Sequence, residues 1–287
     1  MRILVTNDDG VHAPGIAALA EAAHATGHQV IVVAPMVDSS GAGAAVGPVH
    51  QREGVEYASY PMEAIPDVPV YGIDGPPALA VILACVGGFG PRPDLVLSGI
   101  NLGANVGRSA LHSGTIGAAL TAAHFGLRSL AVSIRYCDDP VPWQTPATLA
   151  GELVPVLEAA APGTVLNLNV PNVALDELLG IRRGRLGSGG TIRSAVVEEP
   201  DHLHLPDGDG HPPIMSLPSS PSGMLRLDLA MPGSDRNADP DSDAGLVAAG
   251  FASLTPLVGV REAGAEGDKV MTAVADARIL QRVRNLA

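Results

Sequence analysis

The chain opens Met1-Arg2-Ile3-Leu4-Val5-Thr6-Asn7-Asp8-Asp9-Gly10, and the stretch that begins there decides the fold. Ile3–Thr6 is a short apolar run that ends in a polar Asn-Asp-Asp-Gly turn. Pro14 then leads Ile16, Leu19, Ala20 and Ala23, apolar at helical spacing, and proline suits a first helical turn. Gly27 stops that helix. Val30-Ile31-Val32-Val33-Ala34 follows, a β-branched run of the kind that fills a buried parallel strand. Strand, helix and strand in succession make a βαβ unit, whose crossover is expected to be right-handed.

The pattern repeats along the chain. Pro35–Pro48 is a loop rich in Ser, Gly and Ala, and a weakly patterned stretch to about Pro69 suggests a hairpin or insertion. Pro76-Pro77 opens a helix through Ala78, Ile82, Leu83 and Val86. Asp94–Ser98 reads as a strand, Gly99–Gly114 as a Gly-rich loop, Ile116–Phe125 as a helix and Ser129–Ile134 as a strand. Pro142–Ala161 reads as a helix that Pro155 bends, and Val165–Val170 as a further strand. Strands alternating with helices predict an α/β fold with a doubly wound, Rossmann-like parallel sheet. Residues 1–175 are expected to form that core. The remainder, 176–287, is expected to be a smaller extension with a β-hairpin that uses Leu225–Leu229, a mobile Pro/Asp/His-rich loop and an amphipathic helical arm. The arm's stripe is Val270, Met271, Val274, Ile279, Leu280, Val283 and Leu286.

Composition narrows the function. The 287 residues are 46% hydrophobic and 16% charged, with a mean hydropathy of +0.25, enough to bury a sizeable core. Thirty acidic residues against 17 basic give a formal charge of −13, a surface that repels duplex nucleic acid. Cys85 and Cys137 are the only cysteines, which excludes a disulfide framework and a multi-cysteine zinc site. No apolar span has the length of a membrane helix, and the opening apolar stretch is too short for a signal peptide, so a cytoplasmic protein is expected.

In an open parallel sheet, ligands bind outside the carboxyl ends of the strands. Three loops leave strands there: Asn7–Gly10, Asp38–Gly43 and Ser98–Thr115. Each alone is compatible with an ordinary turn. Asp8-Asp9 is more telling, because adjacent carboxylates at the end of a buried strand repel each other and lose solvation. A divalent cation removes that cost. Ser39 or Ser40, and Asn101 or Asn105, offer neutral oxygen ligands, and such a set suits Mg²⁺ or Mn²⁺ rather than zinc. Ser113-Gly114-Thr115 directly precedes a helix, where free N–H groups form an anion site. The chain has neither a P-loop Gly-Lys-Ser/Thr nor a dinucleotide Gly-x-Gly-x-x-Gly after its first strand.

At these residues the sequence resembles the SurE family of divalent-metal-dependent nucleotidases and phosphatases. The segments that carry the resemblance are Asn7–Gly15, Ala34-Pro35 with Ser40-Gly41, Ser98-Gly99-Ile100-Asn101 with Gly103, Asn105 and Gly107, and Ser113-Gly114-Thr115. Weaker echoes are Asp74–Pro77, Leu166–Pro171 and Ser253–Leu257. The resemblance implies metal ligation by Asp8, Asp9, Ser40 and Asn101, and substrate or phosphate contacts from Asn7, Gly41, Asn105, Ser113, Gly114 and Thr115. It implies hydrolysis of nucleoside monophosphates, and dimers or tetramers that exchange carboxy-terminal arms. With Asp8, Asp9 and Asn101, His112 completes the catalytic candidates, as a proton donor to the leaving alkoxide, against a packing role for the same side chain. The chain departs from the family at Met36, Val37, Asp38 and Ser39, at Pro76 and Leu79, at Arg108-Ser109, His112 and Thr121, and in Arg182-Arg183-Gly184-Arg185. Those departures leave open a phosphatase specialised for another phosphorylated metabolite. A non-catalytic nucleotide-binding or assembly protein of the same fold is a further alternative, which the intact ligand set disfavours.

Other signals carry less. His202, His204 and His211 fit no helical metal motif and suggest a surface loop. Asp239, Asp241 and Asp243 imitate a calcium loop, but Ala244 and Gly250 stand where that loop needs Gly and Glu, so a solvated turn or helix cap is expected. Arg182, Arg183 and Arg185 suggest a solvated or subunit-facing cluster rather than a phosphate clamp. His12 reads as scaffolding of the opening motif.

Overall fold

The computed structural model describes residues 1–51, 53–188, 192–197, 225–229 and 239–260. The chain runs β1 (Arg2–Thr6), α1 (Pro14–Ala25), β2 (Gln29–Pro35), β3 (Tyr57–Ser59), β4 (Val70–Ile73), α2 (Pro77–Cys85) and β5 (Leu95–Leu102). It continues through α3 (Gly114–His124), β6 (Arg128–Ile134), α4 (Gln144–Ala159), β7 (Val165–Val170), β8 (Ile181–Arg183), β9 (Ile192–Val197), β10 (Leu225–Leu229), α5 (Asp243–Ala248) and β11 (Ala252–Leu257).

Nine strands form one sheet in the order β3-β4-β2-β1-β5-β6-β7-β11-β8. From β4 through β7 every pairing is parallel. Antiparallel pairing enters with β3 on β4 and β11 on β7. Strands β9 and β10 pair antiparallel as a separate two-stranded sheet. β8 and β11 come from beyond residue 175 and extend the same sheet as β1–β7, so Met1–Leu257 is one compact unit.

The period-two alternation of a strand fixes the layers. Ile3 and Val5 face α1 and α4, in a core with Ile16, Leu19, Leu97, Val154 and Leu157. Leu4 points the other way, onto α2 and α3, with Ile31, Val33, Val96, Ala80 and Ala118. Cys85 is buried in that second core, as its apolar surroundings implied. Helices on both faces explain why β1 and β2 are apolar throughout rather than alternating.

Several boundaries differ from the sequence reading. The weakly patterned stretch holds the three-residue β3, which pairs antiparallel with the four-residue β4 just beyond it, as the suggested hairpin would; both strands are too short to show periodicity. β5 does not stop at Ser98: a register shift between Ser98 and Asn101 lets it resume through Leu102, so Asn101 sits on a strand rather than in a loop. The loop beyond contains a 3-10 helix, Gly107–His112. Pro155 lies inside α4 on an exposed position. The expected helical arm and His202, His204 and His211 lie outside the described residues. Among the described residues, no helix is long and apolar enough to cross a membrane.

Candidate metal and phosphate site

The chain leaves β1 to build β2 and β4 on one side, then returns to build β5, β6 and β7 on the other. Between β1 and β5 the order reverses, and a crevice opens at such a switch point. Asp8 and Asp9 follow β1 at that point, Asn101 lies near the end of β5, and Ser40 follows the neighbouring β2. Topology thus gathers the four candidate ligands from three separated segments at one end of adjacent strands.

Asp8 is buried, and its Oδ1 accepts the Thr115 hydroxyl at 2.6 Å. Burial pushes its carboxyl up from the ordinary value, the Thr115 hydroxyl and backbone N–H act in the opposite sense, and the Asp38 charge adds to the rise. Asp9 is pushed up to about 7, first by burial and then by the charges of Asp8 and Asp38. Among the described residues its Oδ2 is buried with no hydrogen-bond partner, and so is Oδ1 of the buried Asn7, whose Nδ2 donates to the Gly10 carbonyl at 2.9 Å. Two acceptor oxygens without donors and two mutually repelling carboxylates are what a cation satisfies.

The flanking loops are held by backbone contacts. Ser39 N–H donates to the Asp8 carbonyl at 2.7 Å, which ties the loop after β2 to the acidic pair. Asp38 Oδ1 accepts both the N–H and the hydroxyl of Ser40, at 2.7 and 2.6 Å. That takes the Ser40 proton and leaves its oxygen lone pairs available. Asn101 Nδ2 donates to the Gly103 carbonyl at 2.6 Å, so Oδ1 is the atom its side chain can offer to a cation. Gly41 is exposed in the same loop as Ser40.

The start of α3 is pressed against Asp8. A Cβ at Gly114 would stand 2.8 Å from Asp8 Oδ2, and one at Gly117 would stand 2.1 Å from the Gly43 carbonyl oxygen. Glycine at both places lets the helix approach the carboxylate and the loop behind Ser40. Ser113 caps α3 through Oγ, which accepts the Ile116 N–H at 3.1 Å. The Gly114 N–H has no acceptor among the described residues. Thr115, expected to serve phosphate, has its hydroxyl engaged by Asp8.

Asn105 is held harder than its sequence position suggests. Its N–H donates to Asn169 Oδ1 at 2.7 Å, its Nδ2 to Ser133 Oγ at 2.9 Å, and its carbonyl accepts from Asn167 and Asn169. Asn167 and Asn169, alternate and fully buried residues of β7, are the signal that the sequence hid: buried amides need partners. His112 is exposed, and its carbonyl accepts the Gly43 N–H at 3.1 Å. His12 packs edge-on against Tyr60, ring centroids 4.7 Å apart.

The minor signals resolve as well. Arg185 forms ion pairs with Asp239 and Asp241 at 3.2 and 3.6 Å, which occupies two of the three carboxylates of the apparent calcium loop. Ser242 caps α5, whereas Asp243 is fully buried rather than solvated. Arg182 lies over the Phe251 ring at 3.6 Å. Among the described residues, no group of three or more His, Cys, Asp or Glu side chains forms a metal cluster.

Comparison with known proteins gives a consistent picture. The family model for survival protein SurE matches residues 3–191. The 5'/3'-nucleotidase SurE of Cronobacter sakazakii is 36% identical over 259 residues, 90% of each chain. The 5'-nucleotidase SurE of Aeromonas hydrophila is 35% identical over 262 residues, 90% of this chain and 92% of that one. In structure, the SurE protein from Aquifex aeolicus superposes with a TM-score of 0.72 at 28% identity, covering 96% of this chain and all of that one. With the opening motif, the sheet order and the family match in agreement, the chain belongs to the SurE family.

Proposed function

We propose that this protein is a metal-dependent phosphomonoesterase, a 5'/3'-nucleotidase that hydrolyses nucleoside monophosphates to nucleoside and phosphate. The observation that carries the reading is the buried Asp8 set directly against the start of α3 at the switch point, beside a half-buried Asp9 whose Oδ2 has no hydrogen-bond partner among the described residues. The names of the relatives supply the substrate class.

Asp8, Asp9, Ser40 and Asn101 fit a divalent ion, Mg²⁺ or Mn²⁺, through oxygen alone. When bound, the ion supplies charge neutralisation and a lowered water pKa. Thr115 holds Asp8 in one orientation, and Asp38 does the same for Ser40. Gly114 N–H and the start of α3 receive phosphate oxygens, with Asn7, Gly41 and Ser113 shaping the wall around them. Asn105 fixes the loop, and His112 is our candidate for protonating the leaving alkoxide. On this reading the carboxy-terminal arm joins two or four copies, and the protein works in the cytoplasm.

A phosphate-release screen over nucleoside 5'- and 3'-monophosphates, sugar phosphates and polyphosphate, with Mn²⁺ or EDTA, tests the reading. Metal-dependent release from nucleoside monophosphates is expected. Release from no nucleotide under any metal condition overturns it.

A further inference from the structure

Asp243 is a fully buried carboxylate that the proposed chemistry does not use. It stands at the start of α5, in sequence far from the site. Its Oδ2 accepts the N–H of Gly107 at 2.8 Å, across 136 positions of chain. Its Oδ1 accepts the N–H of Gly187 at 3.0 Å and that of Ala244 at 2.9 Å. Both oxygens are therefore committed to backbone donors, and the carboxylate ties two loops together without touching the acidic pair.

Gly107 begins the 3-10 helix that ends at His112, immediately before the Ser113 cap of α3. The His112 carbonyl in turn accepts the Gly43 N–H, and Gly43 lies in the loop that carries Ser40. Two residues before Gly107, Asn105 is bonded to Asn167, Asn169 and Ser133. The segment from Asn101 to Ser113 thus has two adjacent anchor points on the β7 side of the site. One is the amide network on β7, and the other is a single charge from the chain beyond β8.

We propose that Asp243 is a positioning residue, the clamp that sets the Gly103–His112 loop and, through it, the candidate metal ligand Ser40 and the α3 anion site. Charge-assisted bonds to backbone N–H groups are short and strong, so one carboxylate suffices to hold two loops. An amide does not replace it, because its NH₂ would face a backbone N–H with nothing to accept. The clamp rests on the nucleotidase reading only for its kinetic consequence.

Asp243→Asn is the test, with Val247→Ala as a control that thins the packing of the same helix and leaves the bond to Gly107 intact. Hydrogen exchange over residues 103–112 is followed by mass spectrometry, and nucleoside monophosphate hydrolysis is measured well below either variant's Tm. In the wild type, the Gly107 amide is expected to be as protected as those of the central strands. In Asp243→Asn, exchange across 103–112 accelerates and kcat falls about ten- to a hundredfold with KM little changed, while Val247→Ala keeps wild-type kcat. Rapid Gly107 exchange in the wild type, unchanged loop exchange in Asp243→Asn, or equal kcat losses in both variants overturns the clamp. If the wild type hydrolyses no nucleotide, the functional reading falls and the exchange data still decide the clamp. If Asp243→Asn does not fold, the wild-type Gly107 protection decides alone.

Discussion

Replacing Asp9 with Asn is expected to stabilise the metal-free protein at pH 8 while removing its response to metal. Asp9 is pushed up to about 7 from its ordinary 3.8, by burial and by the charges of Asp8 and Asp38. The sign follows from linkage. A carboxyl raised on folding makes the folded state bind the proton more tightly, so stability falls as pH rises from about 4 and levels off above about 7. Once both states are ionised the displacement amounts to on the order of 4 kcal/mol, with less than half of it present at pH 5. Asp9 is partly open to solvent, which reduces the expected effect to about 1–3 kcal/mol. An asparagine carries no charge, and its NH₂ can donate to the neighbouring carboxylates. In EDTA at pH 8, Asp9→Asn should melt roughly 2–12 °C above the wild type, and the gap should shrink at pH 5. Mn²⁺ at about a hundredfold over its Kd should raise wild-type stability by about 2.7 kcal/mol and leave the variant nearly unmoved. Scanning calorimetry at the two pH values, with EDTA or Mn²⁺, reads all four conditions. A variant no more stable than wild type at pH 8, or one stabilised equally by Mn²⁺, refutes the reasoning.

Thr115→Val removes the hydroxyl bond that favours the Asp8 charge. The acid limb of the activity profile should move to higher pH, and Mn²⁺ affinity should drop about tenfold, the equivalent of one bond to a charged group; titration calorimetry and a pH–rate profile check both. Gly114→Ala places a methyl 2.8 Å from Asp8 Oδ2 and should abolish phosphate release while costing about 1–3 kcal/mol in urea unfolding. Leu97→Ala, in the fully buried centre of β5, should cost about 2–5 kcal/mol with an unchanged denaturant slope.

Much of the molecule was legible in its sequence because the signals were local. Val30–Ala34 could only be a strand covered on both faces, and Pro14 and Gly27 bracket α1 at the positions where those residues are tolerated. Asp8-Asp9 at the end of β1 announced a charge problem that needed a solution. Less was visible where the cause lay elsewhere in the chain. β4 has four residues and exists because β2 offers it an edge. β5 runs on to Leu102 because β6 supplies partners on both sides of its register shift.

The site divides in the same way. Sequence alone determined most of the elements, the acidic pair and the small set of candidate oxygen ligands around it, since each follows from the chemistry of a few neighbouring residues. Only the tertiary structure decided that the Thr115 hydroxyl serves Asp8, that Asn105 is fixed by the amides of β7, and that Asp243 is buried and bonded to the Gly107 N–H rather than solvated. A hydrogen bond depends on distance and direction between groups that the sheet order brings together. Residues 107 and 243 lie 136 positions apart, and no local pattern encodes that they meet.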